Sequence, residues 1–220
     1  MGATERRWFA FSGVAFAALF IAGALTLGEL AGSVGDSNAT FIAYYDDEGN
    51  RARDIAGAYL LAAAGLVFLW FLASLRRRLR TTVDETSVLP SVVLGAGIAF
   101  VAMLFAAAAS LATVNISITF GAIFDEESPV LGGPEMAVLP QFGYVLLHVY
   151  GAFAASLMIA ASSLAGSRGG LFPAWLIWLG YVAAFLLLFA IASLPLFALP
   201  IWVLAVSLAI LRRAPKREGE

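Results

Sequence analysis

The sequence predicts an all-α integral membrane bundle of six transmembrane helices with both termini in the cytoplasm. Of its 220 residues, 61% are hydrophobic and only 13% are charged, whereas a soluble domain is nearer half apolar and a quarter charged. The charges lie in separate blocks between long apolar runs, and the blocks alternate in sign. This pattern is typical of a chain that crosses a bilayer repeatedly, with its basic loops in the cytoplasm.

Six apolar runs reach the roughly 20 residues that a spanning helix requires. The last apolar stretch, residues 171–211, would be about 60 Å long as one helix, about twice a bilayer core, so it must fold back. Pro195 and Pro200 are the predicted break, because proline removes a backbone donor and clashes with the preceding turn. Pro90 fits the first turn of the third span, and Pro140 begins the fourth. The predicted spans are residues 8–30, 55–75, 88–114, 140–165, 172–191 and 196–211.

The basic residues set the predicted orientation. Six spans put eleven arginines and lysines on the side of the two termini and only Arg51 and Arg53 on the other side. Basic residues in short loops stay in the cytoplasm, so that side is assigned to it. The first apolar run is longer than the core of a secretory signal, and we expect it to be retained as a helix.

Composition excludes several kinds of chemistry. The chain has no cysteine and a single histidine, His148, which rules out disulfides, thiolate metal sites and paired-histidine haem ligation within one chain. No glycine-rich phosphate loop followed by lysine and no HExxH motif is present. We therefore predict no catalytic residue, metal, cofactor or nucleic-acid partner, and a single transmembrane domain over residues 1–220.

Two outer loops are predicted, at residues 31–54 and 115–139. The alternation of Ile116, Ile118 and Phe120 in the second loop fits a short strand, and it fits a helical extension of the third span equally well.

The first outer loop contains the acidic cluster Asp46, Asp47 and Glu48. It is interpreted as a solvated acidic surface, with a calcium site as the alternative, although the spacing of a calcium loop is incomplete.

Small residues are expected to bring the helices together, since lipid tails are as apolar as leucine and close packing drives association in membranes. Gly65, Gly95, Gly97 and Gly151 are assigned this role.

The arginine cluster after the second span is predicted first to fix orientation. It could also attract anionic lipid headgroups, at roughly 1 kcal/mol for each charge near the surface. A homo-oligomer remains open. The cluster consists of Arg76, Arg77, Arg78 and Arg80.

A polar stripe on the fourth helix is the strongest candidate site. Gln141, Tyr144 and His148 follow the spacing i, i+3, i+7, so they share one helix face that should point into the bundle. His148 could relay a proton, since its ordinary pKa is about 6.5, or line a substrate pocket. The alternative is a neutral histidine bonded to a neighbouring helix. Glu29, near the outer end of the first span, could approach His148 or Arg53, or simply lie at the water interface.

One stretch resembles a known group of proteins. The run YYDDEGNR at residues 44–51, followed by AYLL at 58–61 and FLWFLASLR at 68–76, is similar to uncharacterised bacterial, chiefly actinobacterial, integral membrane proteins. The resemblance covers about residues 41–80 and implies a bacterial inner membrane, but no activity.

The leading hypothesis for function is a small permease or channel-like protein whose polar path is lined by Gln141, Tyr144, His148 and Glu29. The second is a non-transporting scaffold or accessory subunit that binds a partner through its acidic outer loops. A membrane enzyme ranks third.

Overall fold

The computed structural model describes residues 3–27, 37–123 and 135–212. These residues form helices and short connections, with no strand among them. The α-helices are α1 (Ala3–Leu27), α2 (Asn38–Asp46), α3 (Glu48–Arg80), α4 (Leu89–Ile123), α5 (Glu135–Val145), α6 (Ala152–Arg168), α7 (Ala174–Leu187) and α8 (Ala198–Arg212).

Five helical segments in the described residues are long and apolar enough to cross a membrane, so the chain is compatible with a multi-pass membrane protein. Four of them contain the first four predicted spans almost entirely, and the fifth corresponds to the last. The remaining predicted span, 172–191, is a shorter apolar helix of 14 residues, α7. The prediction of a helical bundle is confirmed, while the count of six spans and the orientation stay predictions. The five segments are Arg7–Leu27, Glu48–Arg80, Leu89–Gly121, Val138–Arg168 and Leu194–Arg212.

The long helices run antiparallel to their neighbours and close into a ring. α1 contacts α3 and α8, α3 contacts α4, α4 contacts α5 and α6, and α7 contacts α6 and α8. On α1 and α3, Phe9 packs against Phe71 at 4.9 Å between ring centroids. At the other end of the same pair, a Cβ at Gly23 would lie 3.1 Å from the carbonyl oxygen of Gly57. α8 returns to α1 where Gly13 meets Ser207.

Aromatic rings fill the centre of the bundle. Phe16, Phe20, Phe68 and Phe100 are fully buried. Phe68 lies 4.6 Å from Phe16 and 5.3 Å from Phe100, measured between ring centroids. Such pairs add attraction beyond the area they bury, and close contact of this kind holds helices together in lipid.

One end of the bundle, here called the arginine end, gathers the basic helix termini. Arg77 on α3 donates to Glu5 on α1 across 2.8 Å, and this bond lowers the pKa of the Glu5 carboxyl. The guanidinium carbon of Arg78 lies 4.4 Å from the centre of the Phe9 ring. The arginine end comprises Arg7, Arg76, Arg77, Arg78, Arg80, Arg168 and Arg212.

Three predicted boundaries need correction. The fourth span does not start at Pro140, since α5 begins at Glu135 and Pro140 lies inside it. The predicted outer loop at 115–139 begins as helix, because α4 continues to Ile123, and this decides between the two interpretations of residues 116–120 in favour of helix. The first outer loop contains α2 and the start of α3.

The predicted break before α8 is found at residues 188–197, with Pro200 already in the first turn of α8.

Candidate functional site

Three irregularities of the helices meet at the end opposite the arginines. Pro140 interrupts the hydrogen bonding of α5, and a π-helical turn, Leu146–Gly151, joins α5 to α6. Two 3₁₀ turns, Ala190–Ala192 and Leu194–Phe197, separate α7 from α8. A π-turn inside an α-helix frequently marks a functional site, and irregular backbone inside a membrane bundle is tolerated where it is buried in protein or borders a cavity.

These irregular segments border a cavity of about 520 Å³. We call this end of the bundle the cavity end. Most of the lining is apolar, and its polar groups come from α2, α3, the α5–α6 junction and the α7–α8 break. The polar and aromatic lining residues are Tyr44, Tyr45, Asp54, Tyr144, His148, Ser193 and Phe197.

His148 lies in the π-turn with its ring stacked on Tyr144. The two rings are 3.9 Å apart at an interplanar angle of 15°. His148 Nδ1 lies 3.0 Å from the carbonyl oxygen of Tyr144. A carbonyl oxygen can only accept, so Nδ1 carries the hydrogen, and in the neutral ring Nε2 is left as an acceptor. The imidazole is thus anchored through one nitrogen, within its own helix rather than by a neighbouring helix.

Tyr144 also connects α5 to the break between α7 and α8. Its hydroxyl donates to the carbonyl oxygen of Ile191 and lies 2.9 Å from Ser193 Oγ. Ser193 has φ of 62° and ψ of −55°, a conformation that L-residues rarely adopt. The tyrosine therefore satisfies a carbonyl that the broken helix leaves without its usual partner.

A second polar group occupies the wall formed by α3. Asp54 is buried, with 7% of the residue exposed, and its Oδ2 accepts from Tyr44 OH at 2.9 Å and from Asn115 Nδ2 at 3.2 Å. The Oδ1 atoms of Asp54 and Asn115 are both buried without a hydrogen-bond partner. Arg53 Nε lies 3.8 Å from Asp54 Oδ1, which makes an ion pair but is too long for a hydrogen bond.

The two tyrosines of α2 stay protonated at neutral pH. Burial raises the pKa of Tyr44, and its bond to Asp54 raises it further. Burial also raises the pKa of Tyr45. The Tyr44 hydroxyl therefore keeps the hydrogen that it donates to Asp54, while it accepts from Arg53 Nη2 at 3.1 Å.

α2 is held against the bundle by apolar and polar contacts. Phe41 and Tyr45 pack against Val114 of α4 in a small cluster that is separate from the main core. Asn50 and Arg51 donate to carbonyl oxygens at the C-terminal end of α2, where helix carbonyls have no partner of their own. Tyr44 and Tyr45 are thereby held at the cavity wall.

No group of three or more histidine, aspartate or glutamate side chains in the described residues is placed to hold a metal ion. Asp46, Asp47 and Glu48 are among these residues and are exposed. Asp47 instead caps α3 by accepting from the backbone N–H of Asn50 at 2.8 Å. This arrangement speaks against the calcium alternative for the acidic cluster.

Of the four residues predicted to line a path, two reach the cavity. His148 and Tyr144 line it. Gln141 is half-buried on α5 and does not belong to its lining. Glu29 lies outside the described residues, and its predicted approach to His148 or Arg53 stays a prediction.

Asp54 is a member of the site that the sequence did not predict, because its position before the second apolar run indicated an outer loop. Asp54, Gly57, Ala58 and Leu61 are all buried on α3, at the spacing i, i+3, i+4, i+7. Had the second helix been extended toward Glu48, this pattern would have put Asp54 on the buried face. Its partner Asn115 is 61 residues further along the chain, and no local pattern reports that contact.

Comparisons with protein-family models, with curated proteins and with solved structures gave no match to this chain.

Proposed function

We propose that this protein is a small permease of a bacterial cytoplasmic membrane, and that its solute occupies the cavity bordered by Asp54, Tyr144 and His148. The observation that carries the proposal is that three helix irregularities, one aspartate and one histidine meet at one cavity. Ionisable groups within membrane helices are costly, and they usually belong to solute or proton pathways.

The proposed topology has six passes with both termini in the cytoplasm. The arginine end would face the cytoplasm and the cavity end the outside, in agreement with the rule that basic loops stay inside. α7, at about 21 Å of helix, would make the fifth pass together with the turns that follow it. The arginines of the cluster would then contact anionic lipid headgroups of the inner leaflet.

A permease is favoured over an open channel because the cavity does not continue to the arginine end. Phe68 lies two turns beyond the cavity-lining Leu61, and with Phe16, Phe20 and Phe100 it forms a buried aromatic layer. A solute that crosses must therefore be accompanied by a rearrangement of the helices. The breaks at Leu146–Gly151 and residues 188–197 are the positions best suited to bend.

The test is counterflow into proteoliposomes of three radiolabelled probes that differ in charge: methylammonium, glycine and glycerol. At least one probe should exchange faster than in protein-free vesicles. His148→Ala should change the rate or its dependence on pH between about 5 and 8, the range in which histidine titrates. Tyr150→Ala, on the exposed face of the same turn, is the matched control and should leave both unchanged. If His148→Ala matches the wild type in rate and pH response, His148 has no part in the mechanism.

Topology can be measured in intact cells. Because the chain has no cysteine, a single cysteine introduced at Thr81, next to the arginine cluster, can be labelled with a membrane-impermeant reagent. In intact cells it should be protected. Labelling from outside would invert the proposed orientation.

A non-transporting scaffold is the second candidate. It is favoured by the buried aromatic layer and by the bond of the His148 imidazole to its own helix. A stoichiometric partner cross-linked in native membranes, with no exchange of any of the three probes, would support the scaffold instead.

A further inference from the structure

We propose that the cavity binds a small organic ammonium ion, with Asp54 as its counter-ion. The inference rests on the proposed function and deepens it by naming the class of solute.

Two buried oxygens on adjoining side chains have no hydrogen bond to accept. They are Oδ1 of Asp54 and Oδ1 of Asn115, on residues that are 7% and 1% exposed. Asn115 Nδ2 donates to Asp54 Oδ2, which fixes the orientation of the amide and leaves its carbonyl oxygen as the free atom. A buried acceptor without a partner is costly, so such atoms in a native structure call for a ligand or an ordered water.

An ammonium group matches the free oxygen of Asp54, the residue of this pair that lines the cavity. Carboxylate and amide oxygens only accept, while a primary ammonium supplies up to three N–H donors and a positive charge. A bond between an ionised donor and a carboxylate is stronger than one between neutral groups. An ammonium nitrogen at the cavity wall can thus satisfy Asp54 Oδ1. Asn115 does not line the cavity, and it holds the carboxylate in place through its bond to Asp54 Oδ2.

The remainder of the cavity favours an organic cation over a metal ion. Its volume of about 520 Å³ lies in the range of small-molecule sites, and its walls include Ala24, Leu61, Leu111 and Leu147. These walls offer contact to the hydrocarbon part of such a cation. A calcium ion would need six or more oxygen ligands, whereas Asp54 is the only carboxylate among the described residues that line the cavity.

Arg53 competes with the proposed ligand. Its Nε forms the 3.8 Å ion pair with Asp54 Oδ1, from a side chain that is 43% exposed. It is held at the edge of the site by its bond to Tyr44 OH. Removing the guanidinium should therefore tighten binding of an amine, and a change that merely damaged the fold would not produce this gain.

The experiment is calorimetric titration of the full chain in detergent micelles near pH 7 with phenethylamine, its neutral isostere phenethyl alcohol, and sodium chloride. Phenethylamine should bind saturably and far better than the alcohol. Asp54→Asn, which keeps the size of the side chain, should weaken binding roughly thirtyfold or more. Arg53→Gln should tighten it. Asp46→Asn is the matched control: it removes the same charge from an exposed position on α2 and should leave the dissociation constant unchanged.

Each contrary result has a defined meaning. Equal binding of amine and alcohol, or equal losses in Asp54→Asn and Asp46→Asn, would overturn the inference. So would saturable sodium binding that depends on Asp54 in the absence of amine binding. If phenethylamine does not bind but a probe still exchanges in vesicles, the inference fails and the proposed permease stands. If phenethylamine binds in this pattern and nothing exchanges, the site stands and transport is refuted.

Discussion

The arginine end and the cavity end are built from the same helices but differ in the regularity of their backbone. At the arginine end α1, α3 and α4 are continuous, and Phe9, Phe71, Leu72 and Leu75 are fully or almost fully buried between them. At the cavity end, a proline, a π-turn and two 3₁₀ turns interrupt the partner helices. The cavity thus lies where the helices lose their regular geometry, although large side chains border it.

The largest expected effect compares two leucines on one face of α3. Leu72 and Leu61 are both fully buried, but Leu61 borders the cavity while Leu72 packs against α4 at Gly97. Leu72→Ala should lower the free energy of unfolding by about 3 kcal/mol, because it creates a new void in a filled layer. Leu61→Ala should cost at least about 1 kcal/mol less, since its side chain has fewer partners to lose.

Unfolding in mixed micelles with increasing dodecyl sulfate measures both changes. Equal losses of unfolding free energy would mean that the cavity end is as tightly packed as the arginine end, and the expected difference between the two ends would be wrong.

The second effect compares two glycines that are two residues apart on α4. A Cβ at Gly97 would lie 3.1 Å from Leu72 Cγ, whereas a Cβ at Gly95 would meet nothing within 4 Å. Gly97→Ala should therefore destabilise the bundle by about 1–3 kcal/mol through overpacking. Gly95→Ala should be neutral or stabilising by up to about 1 kcal/mol, since alanine favours the helix.

The Leu72→Ala background sharpens this test. There the new methyl group at position 97 has room, so Gly97→Ala should cost less than in the wild type. If Gly97→Ala destabilised the Leu72→Ala variant as much as the wild type, residues 72 and 97 would not be in direct contact.

The smallest effect concerns the strained residue of the cavity end. Ser193→Ala and Ser193→Gly both remove the hydroxyl that contacts Tyr144, but only glycine adopts a φ of 62° without strain. The glycine variant should therefore be more stable than the alanine variant by about 1 kcal/mol. Thermal unfolding of the two variants in the same detergent measures this difference, and an alanine variant of equal or greater stability would contradict the strain.

Residue patterns predicted the helices well and identified only some of the residues that line the cavity. Long apolar runs predicted the helical segments, because a run of about 20 apolar residues indicates a spanning helix without information from any other part of the chain. The prediction that small residues pack against neighbouring helices is confirmed for Gly65 and Gly97 and is wrong for Gly95, which faces open space. Composition does not tell which face of a helix meets a neighbour. The i, i+3, i+7 stripe put Tyr144 and His148 on one face, and both line the cavity.

What the patterns could not supply is contact between distant segments and irregular backbone. The pairing of Asp54 with Asn115 joins two helices through a contact that leaves no periodic trace. The π-turn at Leu146–Gly151, which contacts α4, occurs in a run whose residues are compatible with ordinary α-helix, so no residue pattern predicts it.

The short length of α7 has a consequence for the lipid around it. In the proposed topology its 14 residues span about 21 Å beside helices long enough for a hydrocarbon layer of about 30 Å. The irregular turns that follow α7 must supply the rest of this pass. A thicker bilayer increases the length that they must supply, at a modest cost for each ångström of mismatch, so the protein is expected to prefer thin membranes over thick ones.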